Sequence, residues 1–236
     1  MESKWWEYYA VRYFVGTVIG SAIVAFLNSQ QGSPFKDSVT IIGKSPETTF
    51  LGVGLIAALG FGFCYIASSP MLMLHATRSH LRMTIIKASK WRIPLCLACT
   101  LAVTIAVLWR FLPPIAAVGS GSVIGFQWGL VLLAIFTRFS VIESFYRKLA
   151  VARAKVTAKD IAPTAVSEYV TSYRHLREHG NAVSIVVLEF VLAYALLNSP
   201  SQAFGVVLLV LWLLPASFAW LLGSALESRL VSTPLR

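Results

Sequence analysis

Six blocks of about sixteen to twenty-three apolar residues, almost free of charge, limit this chain more than any other feature of its sequence. A hydrocarbon core about 30 Å thick is crossed by about 20 residues of α-helix. Only structures that bond every main-chain polar group internally survive there. The blocks are 10–27, 50–68, a third from Pro94 to just before Pro113-Pro114, 123–139, 182–197 and 204–226. The composition agrees. The chain is 57% hydrophobic and 13% charged, against about 45–50% and about 25% in a soluble domain. The pattern predicts an all-α integral membrane protein with about six transmembrane helices and cytoplasmic helical extensions. Four or five spans result if one block is re-entrant. Trp5, Trp6, Tyr8 and Tyr9 run straight into the first block and read as an uncleaved signal anchor with an aromatic belt.

Lys and Arg set the orientation, because cytoplasmic loops carry an excess of them. Segment 70–93 holds Arg78, Arg82, Lys87, Lys90 and Arg92 with no acid. Segment 138–181 holds eight bases against Glu143, Asp160, Glu168 and Glu178. Loop 28–49 is balanced, and loops 113–122 and 198–203 have neither Lys nor Arg. Most of the +10 net charge therefore lies on two segments. Six spans with both termini inside place both segments in the cytoplasm, with an inner membrane as the location. The chain divides into 1–137, spans one to four with the basic loop 70–93; 138–181, a basic amphipathic cytoplasmic unit; and 182–236, spans five and six with a tail. In the middle unit Phe139, Ile142, Phe145 and Leu149 recur at helical spacing, as do Val166, Tyr169, Tyr173 and Leu176 after a break at Pro163. Segment 72–90 is a third cytoplasmic helix.

Glu189 falls near the middle of the fifth block. Ionisable groups at that depth are expensive and face a cavity, a pore or a partner. Two readings are open: a protonated Glu hydrogen-bonded between helices, or a pore-lining, ion-contacting group. Arg110 is another strong charge placed in a span. At about 1.5 Å per residue it lies roughly 24 Å from the cytoplasmic ends and Glu189 roughly 10 Å, so the two are poorly placed to pair and Arg110 snorkels outward. Gly16 and Gly20 allow close helix packing, as do Gly52, Gly60, Ala57 and Ala58 in the second block. Pro215 kinks the sixth span, as a static bend or a gating hinge. Cys64, Cys96 and Cys99 all lie in apolar blocks, and Cys96-x-x-Cys99 reads as two buried, inert thiols rather than a metal or redox pair.

The cytoplasmic bases have three readings: orientation alone, contact with anionic lipid, or a site for a nucleotide or single-stranded nucleic acid. Arg78, Arg82, Arg147, Lys148, Arg153, Lys155, Arg174 and Arg177 are the candidate anionic-ligand contacts. Phe145, Tyr146 and Tyr173 beside them supply stacking faces of the kind single strands use. No phosphate-binding Gly-rich loop, His-Glu-x-x-His, nucleophile elbow or carboxylate pair occurs, so no catalytic residue, metal ligand or cofactor is assigned and the enzyme class is the weakest. Gly119-Ser-Gly121 reads as an outer turn.

These features predict a homo-oligomeric ion channel or pore-forming effector, with Glu189 of each copy forming an acidic ring that favours cations and the basic segments sensing an anionic ligand or partner. In topology and basic segments the chain resembles small membrane effectors of bacterial anti-phage systems, the Hailong-type channel effectors. That resemblance implies a tetramer-like channel in the inner membrane, opened or closed by a single-stranded DNA oligomer, with the bases at 147–155 and 174–177 as the contacts. A secondary transporter or exporter using Glu189, and a scaffold recruiting a cytoplasmic protein through segment 138–180, are the other readings.

Overall fold

The computed structural model describes residues 9–39, 46–73, 92–136, 139–156 and 182–231. They form seven helices: α1 Tyr9–Ser29, α2 Pro46–Ala67, α3 Arg92–Trp109, α4 Pro114–Phe136, α5 Phe139–Val156, α6 Ala182–Leu197 and α7 Gln202–Val231. No strand occurs among the described residues. Three helical stretches, Phe50–Met73, Pro114–Phe136 and Gln202–Leu230, are long and apolar enough to cross a membrane, and Tyr13–Ser29, Ile93–Trp109 and Val183–Leu197 are shorter apolar helices. Valines and aromatic residues such as Val103, Phe61 and Val210 point outward. Such an apolar exterior suits lipid rather than water.

Two antiparallel hairpins set the frame, and glycine makes both. In the first, Gly16 faces Cys64 and Gly20 faces Gly60, so four residues forward on α1 match four back on α2. A Cβ on Gly20 would sit 2.5 Å from the Gly60 carbonyl oxygen. In the second hairpin, Gly121, Gly125 and Gly129 of α4 meet Ile105, Leu101 and Leu97 of α3 in the same reversed register. Helix association in lipid depends on such close packing, because apolar burial offers little between helices already in oil.

This seam overturns the expected boundary of the fourth block. Residues 114–122 are not an outer loop: α4 starts at Pro114, a favourable first helical position, and Gly119–Gly121 are interior to it. Arg110 is not within a span either; α3 ends at Trp109 and Arg110 is exposed in the turn that follows. The cysteine expectation also fails. Helix α3 packs one face on α4, which leaves Cys96 half-buried and Cys99 exposed; only Cys64 is buried.

Helix α6 is central and touches α1, α2, α4 and α7. The main core gathers Ile23, Leu27, Ile124, Leu192, Leu208 and Trp212 around it. At one end of the bundle, loop 30–39 is held by Asn28, whose side-chain amide donates to the Val39 carbonyl and whose oxygen accepts from the Val39 N–H, both at 2.8 Å. Phe35 fills the space over Gly205, and Phe111 and Phe204 stack at 5.3 Å. The opposite, basic end carries α5. Its apolar stripe docks Ile142 and Tyr146 on Leu226 and Leu230 of α7, and the Arg229 guanidinium lies 5.5 Å above the Phe139 ring. Thirty residues of α7 span about 45 Å, longer than a hydrocarbon core, so its last turns serve as the dock for α5.

The glycines separate cleanly under substitution. A Cβ on Gly60 meets the Ser21 backbone at under 3 Å, whereas one on Gly54 meets nothing within 4 Å. Gly60→Ala is expected to lower stability by about 1–3 kcal/mol, and Gly54→Ala to leave it unchanged within about 0.5 kcal/mol. Unfolding of the two variants in detergent, followed by circular dichroism, checks the contrast.

Candidate functional site

The two α1 glycines that close the first hairpin also make room for Glu189. Its side chain is 0% exposed. One carboxyl oxygen lies 3.4 Å from where a Cβ would stand on Gly16 and equally 3.4 Å from one on Gly20. Ile185, one turn earlier on α6, and Cys64 of α2 complete the cradle. Neither carboxyl oxygen has a hydrogen-bond partner among the described residues. The Cys64 thiol lies against the carboxyl, and a thiol is only a weak donor. Burying a carboxyl without partners costs several kcal/mol.

The predicted residues Glu189, Gly16 and Gly20 thus come together inside one protomer, on α6 and α1. Pro215 lies elsewhere, in the middle of α7, and its neighbours explain how the helix passes through it. Proline has no N–H to give the carbonyl four residues back, here Leu211. The indole of Trp128 on α4 donates to that carbonyl at 3.3 Å. Pro70 creates a related problem just past the end of α2, at the turn within the stretch Phe50–Met73. There the chain tightens: Ser69 N–H donates to Ile66 at 3.1 Å and Met71 N–H to Ser68 at 3.0 Å, which passes over the Ala67 carbonyl. The Trp212 indole, fully buried, donates to Ile66 at 3.1 Å and to Ala67 at 3.4 Å. Two proline breaks are therefore each closed by a tryptophan from a neighbouring helix.

Gln127 is the residue that the sequence reading missed. It is 0% exposed on α4, and neither its amide nitrogen nor its amide oxygen has a partner. The Ser69 hydroxyl, at the α2 break, is likewise buried and unpartnered. A lone amide in the run Gly-Phe-Gln-Trp-Gly was available as a signal, since it stands three residues from both Ile124 and Leu130, on one apolar face of the helix.

The basic residues are less gathered. Arg78, Arg82, Arg174 and Arg177 lie outside the described residues, as do the side chains of Arg153 and Lys155 and the stripe 166–176. On α5, Arg147 forms an ion pair with Glu143 at 2.5 Å, one helical turn back, and Lys148 is exposed. Among the described residues, no group of three or more His, Cys, Asp or Glu is placed to hold a metal. An apolar cavity of about 320 Å³ lies between α1, α2, α6, α7 and loop 30–39; no ionisable side chain lines it. No protein-family model, curated protein or solved structure matches the chain.

The tryptophan–proline pairing has a measurable consequence. Trp128→Phe strands the Leu211 carbonyl and is expected to cost about 1–3 kcal/mol. Pro215→Ala restores an N–H to that carbonyl, so the Trp128→Phe penalty is expected to shrink by about 1 kcal/mol in the double variant. A double-mutant cycle on unfolding free energies reads the coupling; a coupling of zero would refute the pairing.

Proposed function

We propose that this chain is a multi-pass membrane transporter that moves a proton or a small cation through each protomer, with Glu189 as its intramembrane site. In this reading all six apolar helices cross an inner membrane, the basic end faces the cytoplasm, and the three shorter helices span a locally thinned or tilted layer. The carrying observation is the burial of Glu189 without a hydrogen-bond partner. An uncompensated carboxyl at that depth is retained for binding, not for stability. Its place between α1, α2 and α6 of a single chain favours a site within the protomer over an acidic ring between copies.

Flux in liposomes tests this. Purified protein is reconstituted and an imposed pH gradient is followed with an entrapped dye. Glu189→Gln is expected to reduce flux to that of protein-free liposomes, and Glu189→Asp to retain part of it. Wild-type flux in Glu189→Gln would remove the reading. Glu189→Leu, which replaces the unpaired carboxyl by an apolar group of similar size, is expected to unfold later by about 1–3 kcal/mol.

The second reading, a ligand-gated oligomeric channel of the anti-phage effector type, is favoured by one observation: the basic helix α5 is fastened to the end of α7 through Ile142, Tyr146, Leu226 and Leu230. A polyanion drawn to Lys148 and its neighbours would then pull on the helix that contains Pro215. Single-channel recording with and without a single-stranded DNA oligomer separates the two. Conductance that appears or vanishes with the oligomer, and loses that response at high salt, supports the channel; carrier-like flux indifferent to the oligomer supports the transporter.

A further inference from the structure

Three polar side chains, Ser69, Gln127 and Glu189, are buried without partners, and they account for all such atoms among the described residues. Three separate registers place them in order along the bundle. Met73 of α2 shares a cluster with Leu130 and Val131 of α4. One turn back on each of these parallel helices stand Ser69 and Gln127, at one depth. Cys64, beside Glu189, lies five residues from Ser69 toward the loop end, or about 7 Å along a helix. On α4, Gly119 meets Val191 of α6 with a Cβ contact of 3.5 Å. Counting from that pair, the Gln127 backbone stands about 9 Å nearer the basic end than that of Glu189. The estimates agree.

Side-chain direction narrows the gap. Helical side chains lean toward their own N-terminus. Helix α4 begins at the loop end and α6 at the basic end, so Gln127 leans toward Glu189 and Glu189 leans toward Gln127. Gln127 also shares a face with Ile124 and Leu130, three residues to either side, and both are buried against the helices around α6 and α7. In the other direction, between Glu189 and the loop end, the described interior is apolar: the cluster of Leu27, Leu108, Leu112, Ala116, Leu192 and Leu196, and beside it the cavity of about 320 Å³, whose lining is apolar apart from Asn28 and Ser38. The buried hydroxyls there are taken: Ser120 donates to the Ala116 carbonyl at 2.6 Å and Ser199 to the Ala195 carbonyl at 3.0 Å.

We infer that Glu189 is reached from the basic end, through a short file of water held by Ser69 and Gln127, past the buried Met73, Leu130 and Val131 that cover these two side chains on that side. A buried water takes two to four polar partners; the Ser69 hydroxyl, the Gln127 amide and the Glu189 carboxyl supply them over a span of one to three waters. A proton taken up at the basic end passes along the file, each water accepting one and releasing one, and ends on a carboxylate oxygen of Glu189. Gln127 keeps both its amide hydrogens throughout and acts as a positioning residue. The inference rests on Glu189 being the transport site.

Cys64 is a native reporter for water arriving in the Glu189 cradle, independent of transport, and its exchange is compared at one pH because the thiol lies against the Glu189 carboxyl. In full-length protein carrying Cys96→Ala and Cys99→Ala, the S–H infrared band of Cys64 is followed after transfer from H₂O to D₂O in liposomes. Gln127→Leu and Ser69→Ala are each expected to slow its exchange by about tenfold. Gln127→Asn, which keeps the amide, and Ser120→Ala, on the loop side of the same helix, are expected to exchange like the parent. Unchanged exchange in Ser69→Ala and Gln127→Leu overturns the route, as does equal slowing by Ser120→Ala. Should Gln127→Leu not fold, Ser69→Ala against Ser120→Ala decides alone. Absent flux with the expected exchange pattern removes the transport reading and keeps the water route; flux with unaltered exchange does the reverse.

Discussion

Inside a layer of hydrocarbon, a main-chain carbonyl without a donor costs several kcal/mol, and a donor is missing at Pro70, by the turn that ends α2, and at Pro215, inside α7. The bundle answers both with an indole. Trp128 reaches Leu211 from α4, and Trp212, one residue further along α7, reaches Ile66 and Ala67 on α2. Because the acceptor Leu211 and the donor Trp212 are adjacent, the two repairs form one chain of bonds from α4 through α7 to α2. The relative depth of these three helices is therefore fixed by hydrogen bonds as well as by packing. That explains two midspan tryptophans in a chain where an aromatic belt at the interfaces is the ordinary place for them.

Against that background the unpaired side chains stand out. The fold spends a fully buried tryptophan to satisfy the α2 break, yet leaves the Ser69 hydroxyl open at the same break. Seven residues apart on α4, Ser120 is bonded to its own helix while Gln127 is bonded to nothing described. The glycines that seat α1 on α2 could have been matched by an apolar residue on α6; instead the space beside Gly16 and Gly20 holds a carboxyl. Backbone polarity is repaired throughout this region, and side-chain polarity is left available along one line. Apolar residues of similar volume at these three positions would give a more stable protein, so the pattern points to use rather than to architecture.

Much of this was legible in the residues, and the failures have definite causes. Charge-free blocks gave the helical class, and helical spacing gave the stripe of α5. Glu189 was visible because a single acid in Val-Val-Leu-Glu-Phe-Val-Leu has no polar neighbour on its own helix. Its surroundings were not, since which face of α6 meets Gly16 depends on a packing that no periodicity encodes. The start of α4 was misread because Gly119 and Gly121 look like turn residues when read singly; together with Gly125 and Gly129 they mark a face pressed against α3. The thiols of α3 were misplaced for the opposite reason. In lipid an apolar residue need not be buried in protein, so membership of an apolar block said nothing about burial for Cys96 and Cys99. Pro215 was noticed for what it removes, but its repair requires a partner more than eighty residues away in the chain.

The same inventory of bonds ranks the seams. Across the α1–α2 and α3–α4 seams, backbone meets backbone: Gly20 against the Gly60 carbonyl, Gly125 against Leu101 with a Cβ position 2.9 Å from its Cα. Contacts that tight do not slide without separating, so each hairpin acts as a unit. The hydrogen-bonded links from these hairpins to α7 are two neutral indole N–H groups, that of Trp212 shared between two carbonyls, each N–H worth about 1 kcal/mol net, and they sit at the proline breaks, where the helical ladder already lacks a rung. The seam with the fewest backbone contacts is thus the one between α7, with the docked α5, and the paired hairpins. Trp212 stands at that seam, packed in the core that also holds Leu192, one turn from Glu189. Its indole holds Ile66 and Ala67 between Cys64 and Ser69, so the repair of the backbone and the unpaired Ser69 and Glu189 side chains meet at one stretch of chain.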